Sequence, residues 1–495
     1  MTTPQHDVIV VGAGISGLTT AWHLKQAGVD VKILEANAYA GGVMQTQHRD
    51  GFLLEKGPFN VLVRDESFEQ LLLHFQDKLD PISASGSSGR SRFVLHRSRL
   101  CKLPSNPWQF ITTPLLSPIG KLRLIRGLLL SRRGTSANRS IDEAAARRFG
   151  REVADRLVSA LCVGIYAAES KTLSLAGCFH GIAEMDDRLR SPLISALTSA
   201  FKTRRPKRQG LVSFRNGLSA LPKVIAEDLG DDLITNCDTK SIKQTQTGFE
   251  ISYIINGGID EIIRCRHLVL CVGKSAASTL LKSAAPTLAS EISSIPTSPL
   301  TVLNLGFDRK HIGHPLDGFG FLVPSTEPDF PLLGVLWADS VFPHHAPKGS
   351  RLLRVFIRDS HTNEVDTKSD NELVDIAVTS LRNLLQLTGE PTLVDICHWP
   401  NAIPHYTLDH VNRVANIERQ LQSHANLHLL GNYLHGMSIN DCVKNAAQEA
   451  SGIITKLSLQ KDIKDDMSQQ CRQLDHSAIE PKEPAILQSL ENKGN

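Results

Sequence analysis

The stretch Asp7-Val-Ile-Val-Val-Gly-Ala-Gly-Ile-Ser-Gly-Leu18, followed by Val31-Lys-Ile-Leu-Glu-Ala36, decides how this chain is read. Val8 to Val11 form an apolar run of the kind that makes a strand buried on both faces. Gly12, Gly14 and Gly17 then give GxGxxG at the entry to a helix. Gly12 permits the tight turn, Gly14 lets the backbone approach a pyrophosphate, and Gly17 allows helix and strand to pack closely. The helix carries Leu18, Ala21, Trp22 and Leu24 at helical spacing and stops at Gly28. The second apolar strand ends at Glu35, eighteen residues beyond Gly17, where an acid can hold ribose hydroxyls. Strand, helix, strand and acid together describe a mononucleotide-binding unit, with the phosphates on unpaired N–H groups at the positive end of the helix.

A chain of 495 residues, 41% hydrophobic and 21% charged, is long enough for two or three domains of ordinary globular composition. No apolar run approaches the ~18–20 residues of a membrane-spanning helix. The first strand begins within a few residues of Met1, which leaves no room for a signal peptide, so a cytoplasmic location is expected. The nine cysteines are scattered and contain no CxxC pair, which points to reduced, mostly buried small residues and to no metal site. The net charge of +3 hides an uneven distribution: between Asp80 and Asp142 there are eleven Lys and Arg and no acid. Interleaved with Lys121, Arg123, Arg126, Arg132 and Arg133 are Trp108, Ile111, Ile119, Leu122, Ile125, Leu128 and Leu129. Leu193 to Arg208 has the same character. Such segments suit peripheral association with an anionic membrane surface. The competing reading is a solvated basic helical face over an ordinary core. Aliphatic rather than aromatic interleaving argues against nucleic acid.

Further along, His267-Leu-Val-Leu-Cys-Val-Gly273, preceded by shorter pieces from Leu233 to Ile242 and Phe249 to Ile255, reads as a return to the first sheet. Leu427-His-Leu-Leu-Gly-Asn432 reads as another strand, and Ser438 with Asp441 resembles a capping box opening a helix through Val443, Ala446, Ala450 and Ile453. The fold class is therefore α/β (α+β overall), with a Rossmann-type domain assembled from residues 1–84, 208–275 and 421–458. Residues 85–207 are expected to form a helical, membrane-associating domain, and residues 276–420 a mixed-sheet substrate domain. That second insertion has strands at Leu300 to Phe307, Gly320 to Pro324, Leu332 to Trp337 and Arg351 to Ile357, and a helix at Glu372 to Leu387. Residues 459–495, rich in Lys, Asp, Gln and Ser, are expected to be a disordered tail.

The doublet Gly41-Gly42 narrows the cofactor, since a second glycine turn here lets backbone N–H groups meet a second stretch of a large cofactor, as flavin enzymes need and simple nicotinamide enzymes do not. The chain resembles the flavin-dependent amine oxidase superfamily and, within it, the protoporphyrinogen oxidase family. The residues that carry the resemblance are Glu55-Lys-Gly-Pro58, Arg92-Phe-Val-Leu95, Gly164-Ile-Tyr-Ala167, Gly217-Leu-Ser-Ala-Leu-Pro222, Pro315-Leu-Asp-Gly-Phe-Gly-Phe-Leu-Val-Pro324 and Gly436-Met-Ser-Ile-Asn-Asp-Cys-Val443. The resemblance implies an oxidase that passes hydride equivalents from a porphyrinogen to FAD in three two-electron steps, with dioxygen as acceptor and hydrogen peroxide as co-product. It implies cofactor contacts from Gly12, Gly14, Ile15, Ser16, Gly17, Glu35, Ala36, Gly41, Gly42, Gly57, Pro58, Thr239, Gly431, Met437, Ser438 and Ile439. The helix opening at Ser438 would aim its N–H groups at the flavin pyrimidine edge. The resemblance also implies that Arg92 pairs with a substrate propionate, that Phe319 stacks on a pyrrole ring and that Leu300 supplies an aliphatic contact. No catalytic side chain and no metal are assigned, and a homodimer is left open.

Three positions depart from the family pattern. Phe59-Asn60 replaces a small polar pair, Ala446 replaces a glycine, and Ala167-Ala-Glu-Ser170 stands where Ala-Gly-Asp-Pro is usual. They bear on the substrate more than on the cofactor. Coproporphyrinogen, or an amine, polyene or other pyrrolic substrate, therefore stands beside protoporphyrinogen, as does a porphyrin-binding flavoprotein carrier without turnover.

Overall fold

The computed structural model describes residues 5–86, 91–129, 139–179, 210–357 and 368–477. Its first unit is the one read from the sequence: β1 (Gln5–Val11), α1 (Ile15–Gln26) and β2 (Val31–Leu34), with β1 and β2 paired in parallel. Val8 and Val10 face one core and Ile9 and Val11 the other, which is why the run is continuously apolar. The sheet runs in the order Leu233–Ile234, β2, β1, Asp260–Leu270, Gly248–Ile255, Cys237–Thr245. Strand Asp260–Leu270 does two jobs. Its first half pairs antiparallel with Gly248–Ile255, and its second half pairs in parallel with β1 and with Leu427–Leu429. Separated segments of chain thus complete one sheet.

Helices cover both faces. On one, α1, Ala220–Leu229 and the buried side of Ile439–Ser477 share a core with Val8 and Val10. On the other, Lys274–Leu281, Pro286–Ser293 and His410–Leu421 pack through Ala277, Leu281, Leu288, Ile292 and Ile417. The nucleotide-binding layer therefore extends past the boundary expected at residue 276. The apolar period of these helices reads equally well for either domain, and only packing decides.

A second sheet runs Leu393–Pro404, Thr297–Asp308, Ser350–Ile357, Leu332–Trp337, Gly320–Leu322, Phe93–His96, Arg99–Lys102. Helix Asp370–Leu385 covers one face of it. Two of its members correct the sequence reading. Phe93–His96 and Arg99–Lys102 lie within residues 85–207, so that segment is not wholly helical; they are held by the parallel register of Phe93 and Val94 against Phe321 and Leu322. Leu393–Pro404 was not anticipated because it is an edge strand containing Pro400 and half-exposed residues, which hides its alternation.

The remainder of residues 85–179 is helical: Pro107–Thr112, Pro118–Leu129, Ile141–Phe149 and Ser159–Tyr166. Ser140 and Glu143 form a capping box at the third of these. Leu193 to Arg208, together with Arg132 and Arg133, lies outside the described residues. The tail expected to be disordered from residue 459 continues as helix to Ser477. Its Lys, Gln, Leu and Met are good helix formers, with no Gly or Pro to stop propagation from the packed first half. Among the described residues no helix is long and apolar enough to cross a membrane.

Candidate active site

The site begins where β1 turns into α1. Gly12 has φ +98°, and a Cβ there would lie 2.7 Å from the Cys271 carbonyl oxygen; a Cβ on Gly17 would overlap the Gly12 carbonyl itself. These two glycines are required by the fold. Gly14 is different, because a Cβ on it would meet nothing within 4 Å. The open space lies at the N-cap of α1, which has no side-chain cap, so its first N–H groups face it unspent. Ile15 and Ser16 form that first turn and are buried. The second glycine turn closes on the same place: Gly14 bridges Gly41, the Gly41 N–H donates to Ala13 O at 2.8 Å, and Gly42 has φ +58°.

Glu35 is buried at the end of β2, where its carboxylate accepts from Ala13 N at 2.7 Å, Asn37 N at 2.9 Å and Asn37 Nδ2 at 2.7 Å. Three of about four lone-pair sites are taken, which leaves room for a ribose hydroxyl. Ala36 is exposed beside it. Thr239 lies two residues beyond Cys237, whose N–H donates to Glu35 O at 2.8 Å, and its buried hydroxyl has no partner. An open cradle at Gly14, an uncapped helix start and an acid with spare acceptor capacity fit a dinucleotide.

The other end of the cleft is formed by the last helix. Asp441 N–H donates to Ser438 Oγ at 3.2 Å and Ser438 N–H to Asp441 Oδ2 at 3.3 Å, the expected box. Arg64, which the sequence reading missed, donates to Ser438 Oγ and to both Asp441 oxygens at 3.1 Å. Asn440 donates to Leu62 O, so strand Val61–Val63 is tied to the helix start. The Cys442 thiol, pushed up to about 11 by burial, is hydrogen-bonded to Ser16, which joins the two helix N-termini. Gly431 abuts the Tyr433 ring, Met437 packs on the cluster around Tyr166 and Leu175, and Ile439 packs on the core shared with α1. Ala446 is fully buried in that core, so the glycine replaced here is accommodated without a gap.

Gly57 and Pro58 sit between these ends. A Cβ on Gly57 would overlap Val43 O, so this loop lies directly against the second glycine turn. Beneath it is a buried polar network. Arg354 is 2% exposed and donates to Gly57 O, while its Nε and Nη1 have no partner. Glu55, 1% exposed, accepts from Thr46 Oγ1 at 2.8 Å and Leu218 N at 2.7 Å. Burial raises its carboxyl to about 7, opposed by those hydrogen bonds and by Arg354. Lys56 pairs with Asp395, and Asn304 Nδ2 donates to Asp395 Oδ2 at 3.1 Å. The signal for Arg354 was available: one cation at a buried register of the otherwise apolar Leu352-Leu-Arg-Val355.

On the substrate side, Arg92 and Phe319 meet. The guanidinium carbon lies 4.9 Å from the ring centroid, and Phe319 N–H donates to Ser91 O at 2.7 Å. Partial desolvation lowers the pKa of Arg92, and no carboxylate pairs with it among the described residues. Phe59 stands edge-on to Phe319 at 6.4 Å and contacts His345 at 5.1 Å, so the unusual residue after Gly57-Pro58 belongs to this wall. Leu300 is not brought to it. Its strand is separated from Gly320–Leu322 by two others, a distance of ~14 Å at ordinary strand spacing. Leu300 pairs instead with Trp399, whose Nε1 donates to Lys56 O at 2.9 Å, next to Gly57.

Against known proteins, the chain is 29% identical over 477 residues to the chloroplastic protoporphyrinogen oxidase of Nicotiana tabacum, covering 91% of this chain and 86% of that protein. It is 25% identical over 481 residues to the coproporphyrinogen III oxidase of Bacillus subtilis (strain 168), covering 92% of this chain and all of that one. A crystal structure from Exiguobacterium sp. 255-15 superposes with a TM-score of 0.75 at 22% identity, over 92% of this chain and 100% of that chain. Residues 15–454 match the flavin containing amine oxidoreductase family, a span that runs from the first turn of α1 through the second glycine turn and the Gly57 loop into the last helix. The chain belongs to that family and is an FAD-dependent oxidoreductase.

Proposed function

We propose that this protein is an oxygen-dependent oxidase of haem biosynthesis that converts protoporphyrinogen IX to protoporphyrin IX. The observation that carries the reading is the Arg92–Phe319 pair, an unpaired guanidinium laid over an aromatic ring beside Phe59 and the Gly57 loop. A flat tetrapyrrole with peripheral carboxylates asks for both parts. Arg92 can grip one propionate with two parallel hydrogen bonds, and Phe319 offers a face for a pyrrole ring. Phe59, edge-on to Phe319, extends the same aromatic wall.

When bound, FAD would supply a hydride acceptor: each step would give it two electrons and one proton while a second proton leaves to solvent, and dioxygen with both protons would then yield one hydrogen peroxide, so six hydrogens removed from the macrocycle correspond to three hydrogen peroxide. The chain itself holds and orients. The Gly14 cradle and Glu35 fix the adenosine end, and the capped start of helix Ile439–Ser477 presents the Ile439 and Asn440 N–H groups where negative charge gathers. Arg354 keeps the Gly57 carbonyl in place from below. Peripheral attachment to the cytoplasmic face of a membrane is part of the same reading. It is supported by the exposure of Trp108, Ile119 and Leu122, at 72%, 66% and 67%.

The full-length match to a coproporphyrinogen III oxidase favours a second reading in which the four-propionate substrate is preferred. Incubating the holoenzyme in air with each porphyrinogen side by side, and identifying products chromatographically, tests both. Faster formation of protoporphyrin with three peroxides per porphyrin is expected. Faster coproporphyrin formation would select the second reading, and catalysis of neither would overturn both.

A further inference from the structure

Arg92, Phe319, Phe59 and Arg354 form an unbroken row along the substrate wall. The Arg92 guanidinium carbon lies 4.9 Å from the Phe319 ring centroid, the Phe319 and Phe59 rings stand edge to face at 6.4 Å, and the Arg354 guanidinium carbon lies 5.9 Å from the Phe59 centroid. A pair of aromatic rings thus carries a guanidinium at each end. The ends differ in access. Arg92 is exposed, whereas Arg354 is buried and faces the ring of Phe59 and, at 5.3 Å, that of Phe356. Phe59 is a fixed cover, buried itself and packed on Phe342 at 5.5 Å and His345 at 5.1 Å.

Support of the Gly57 loop does not account for a guanidinium at this place. Successive carbonyls of that loop are met by side chains of the second sheet: Glu55 O by Asn304 Nδ2 at 3.4 Å, Lys56 O by Trp399 Nε1 at 2.9 Å, and Gly57 O by Arg354 Nη2. Neutral donors serve the first two, so a carbonyl here asks for no charge. Arg354 Nη2 also reaches Lys56 O at 3.4 Å, but Nε and Nη1 are buried without a partner. Neighbouring carboxylates act on the guanidinium through space and leave those donors unfilled. Glu55 accepts from Thr46 Oγ1 and Leu218 N, and Asp395 from Lys56 and Asn304. Burial lowers Arg354 to about 10, so it stays charged at neutral pH. A buried cation with unmatched N–H groups is costly to keep, and each such N–H is a strong site for a carboxylate oxygen.

We propose that Phe59 is the specificity-determining residue of the substrate wall: its ring screens Arg354, a second carboxylate-binding guanidinium, and so selects a macrocycle whose edge away from Arg92 is uncharged. The inference rests on the porphyrinogen reading above and names what sets its preference. Both candidate substrates carry a pair of propionates on one edge. On the other, protoporphyrinogen has vinyl groups where coproporphyrinogen has further propionates. With a propionate held at Arg92, the rest of the macrocycle lies along Phe319 and Phe59. A vinyl group is matched by the Phe59 ring. A propionate there would lose its water against an apolar face, because the donors that would satisfy it are covered.

Equilibrium binding of coproporphyrin III and protoporphyrin IX to the holoenzyme, followed by fluorescence quenching, tests this without turnover. Phe59→Ala should tighten coproporphyrin relative to protoporphyrin by about tenfold or more, and kcat/KM for the two porphyrinogens should shift by a similar ratio, chiefly through KM. Phe59→Val uncovers less of Arg354 and should move the ratio the same way by a smaller factor, which keeps the test open should the alanine variant fail to accumulate. Flavin absorbance reports that each variant is folded. Adding Arg354→Gln to Phe59→Ala keeps a donor for the Gly57 carbonyl and should return the ratio to within about twofold of wild type. A ratio unchanged by either Phe59 substitution, or a gain that survives Arg354→Gln, overturns the screen while wild-type turnover upholds the oxidase reading. If wild type oxidises neither porphyrinogen and binds neither porphyrin, the oxidase reading is overturned and the role of Phe59 with it.

Discussion

The adenosine end of the cleft and its substrate wall are built in opposite ways. At the first, the groups placed to meet a cofactor are mainly backbone N–H groups and one carboxylate within Gly12 to Gly42, set by two glycine turns that touch at Gly14 and Gly41, with Thr239 beside them. At the second, Phe59, Arg92, Phe319 and Arg354 come from segments hundreds of residues apart and meet because strands Phe93–His96, Gly320–Leu322 and Ser350–Ile357 share one sheet and the Gly57 loop lies against it. A site made of local backbone is fixed by the fold and tolerates little change. A site made of distant side chains can alter its ligand one residue at a time, and the departure at Phe59 belongs to this half.

Substitutions that separate folding from binding break this contrast most directly. Gly17→Val should prevent accumulation of folded protein, since even a Cβ overlaps the Gly12 carbonyl. Gly14→Ala, with no protein atom within 4 Å of its Cβ, should leave the apoprotein thermal midpoint within about 2 °C and weaken FAD binding by at least about tenfold. Equal destabilisation by both would show that Gly14 serves the fold alone. Next in size is Arg354→Ala, which should cost ~1–3 kcal/mol in urea unfolding because the buried Gly57 carbonyl loses its donor. Loss of less than about 1 kcal/mol would remove Arg354 from the support of the wall.

Acid should act on the scaffold under both halves. Burial holds His267, His345 and His410 below the usual imidazole range, at about 4, 3 and 4. Their folded-state pKa is depressed, so the stability they allow is present above pH 6.5 and is lost as pH falls from there toward 4. The loss is on the order of 1–2 kcal/mol for each histidine between pH 6.5 and 5. A urea midpoint constant over that range would contradict their burial as neutral rings.

Smaller effects sharpen the substrate side. Arg92→Ala should lower kcat/KM about 10- to 100-fold, chiefly through KM, with stability unchanged and partial rescue by lysine. Leu300→Ala, three strands from Phe319 in order, should change kcat/KM by less than about twofold. A larger effect would place substrate against Trp399 and Lys56.

The same contrast explains what was legible. Val8 to Gly17 and Val31 to Glu35 encode their structure through local period, turn chemistry and spacing, and they fold as read. The Ser438–Asp441 box is local too, and forms. Arg92 and Phe319 were found through resemblance; nothing near either residue announces that they will stack. Arg354, Arg64 and the Leu393–Pro404 strand were missed because their roles come from partners remote in sequence, Gly57, Asp441 and Thr297–Asp308. Leu300 shows the limit of transfer by position, since a bulge between Ser298 and Leu300 shifts the register of that strand end against Leu393–Pro404.

The central claim is that the flavin held by the first half is reduced by a porphyrinogen held by the second. Anaerobic addition of protoporphyrinogen IX to the purified holoenzyme, followed by flavin absorbance near 450 nm, tests it most directly. Bleaching of the flavin band with appearance of porphyrin absorption, reversed on admitting air, is the expected result. Unchanged flavin absorbance with both proto- and coproporphyrinogen, in a protein that binds FAD stoichiometrically, would contradict the account.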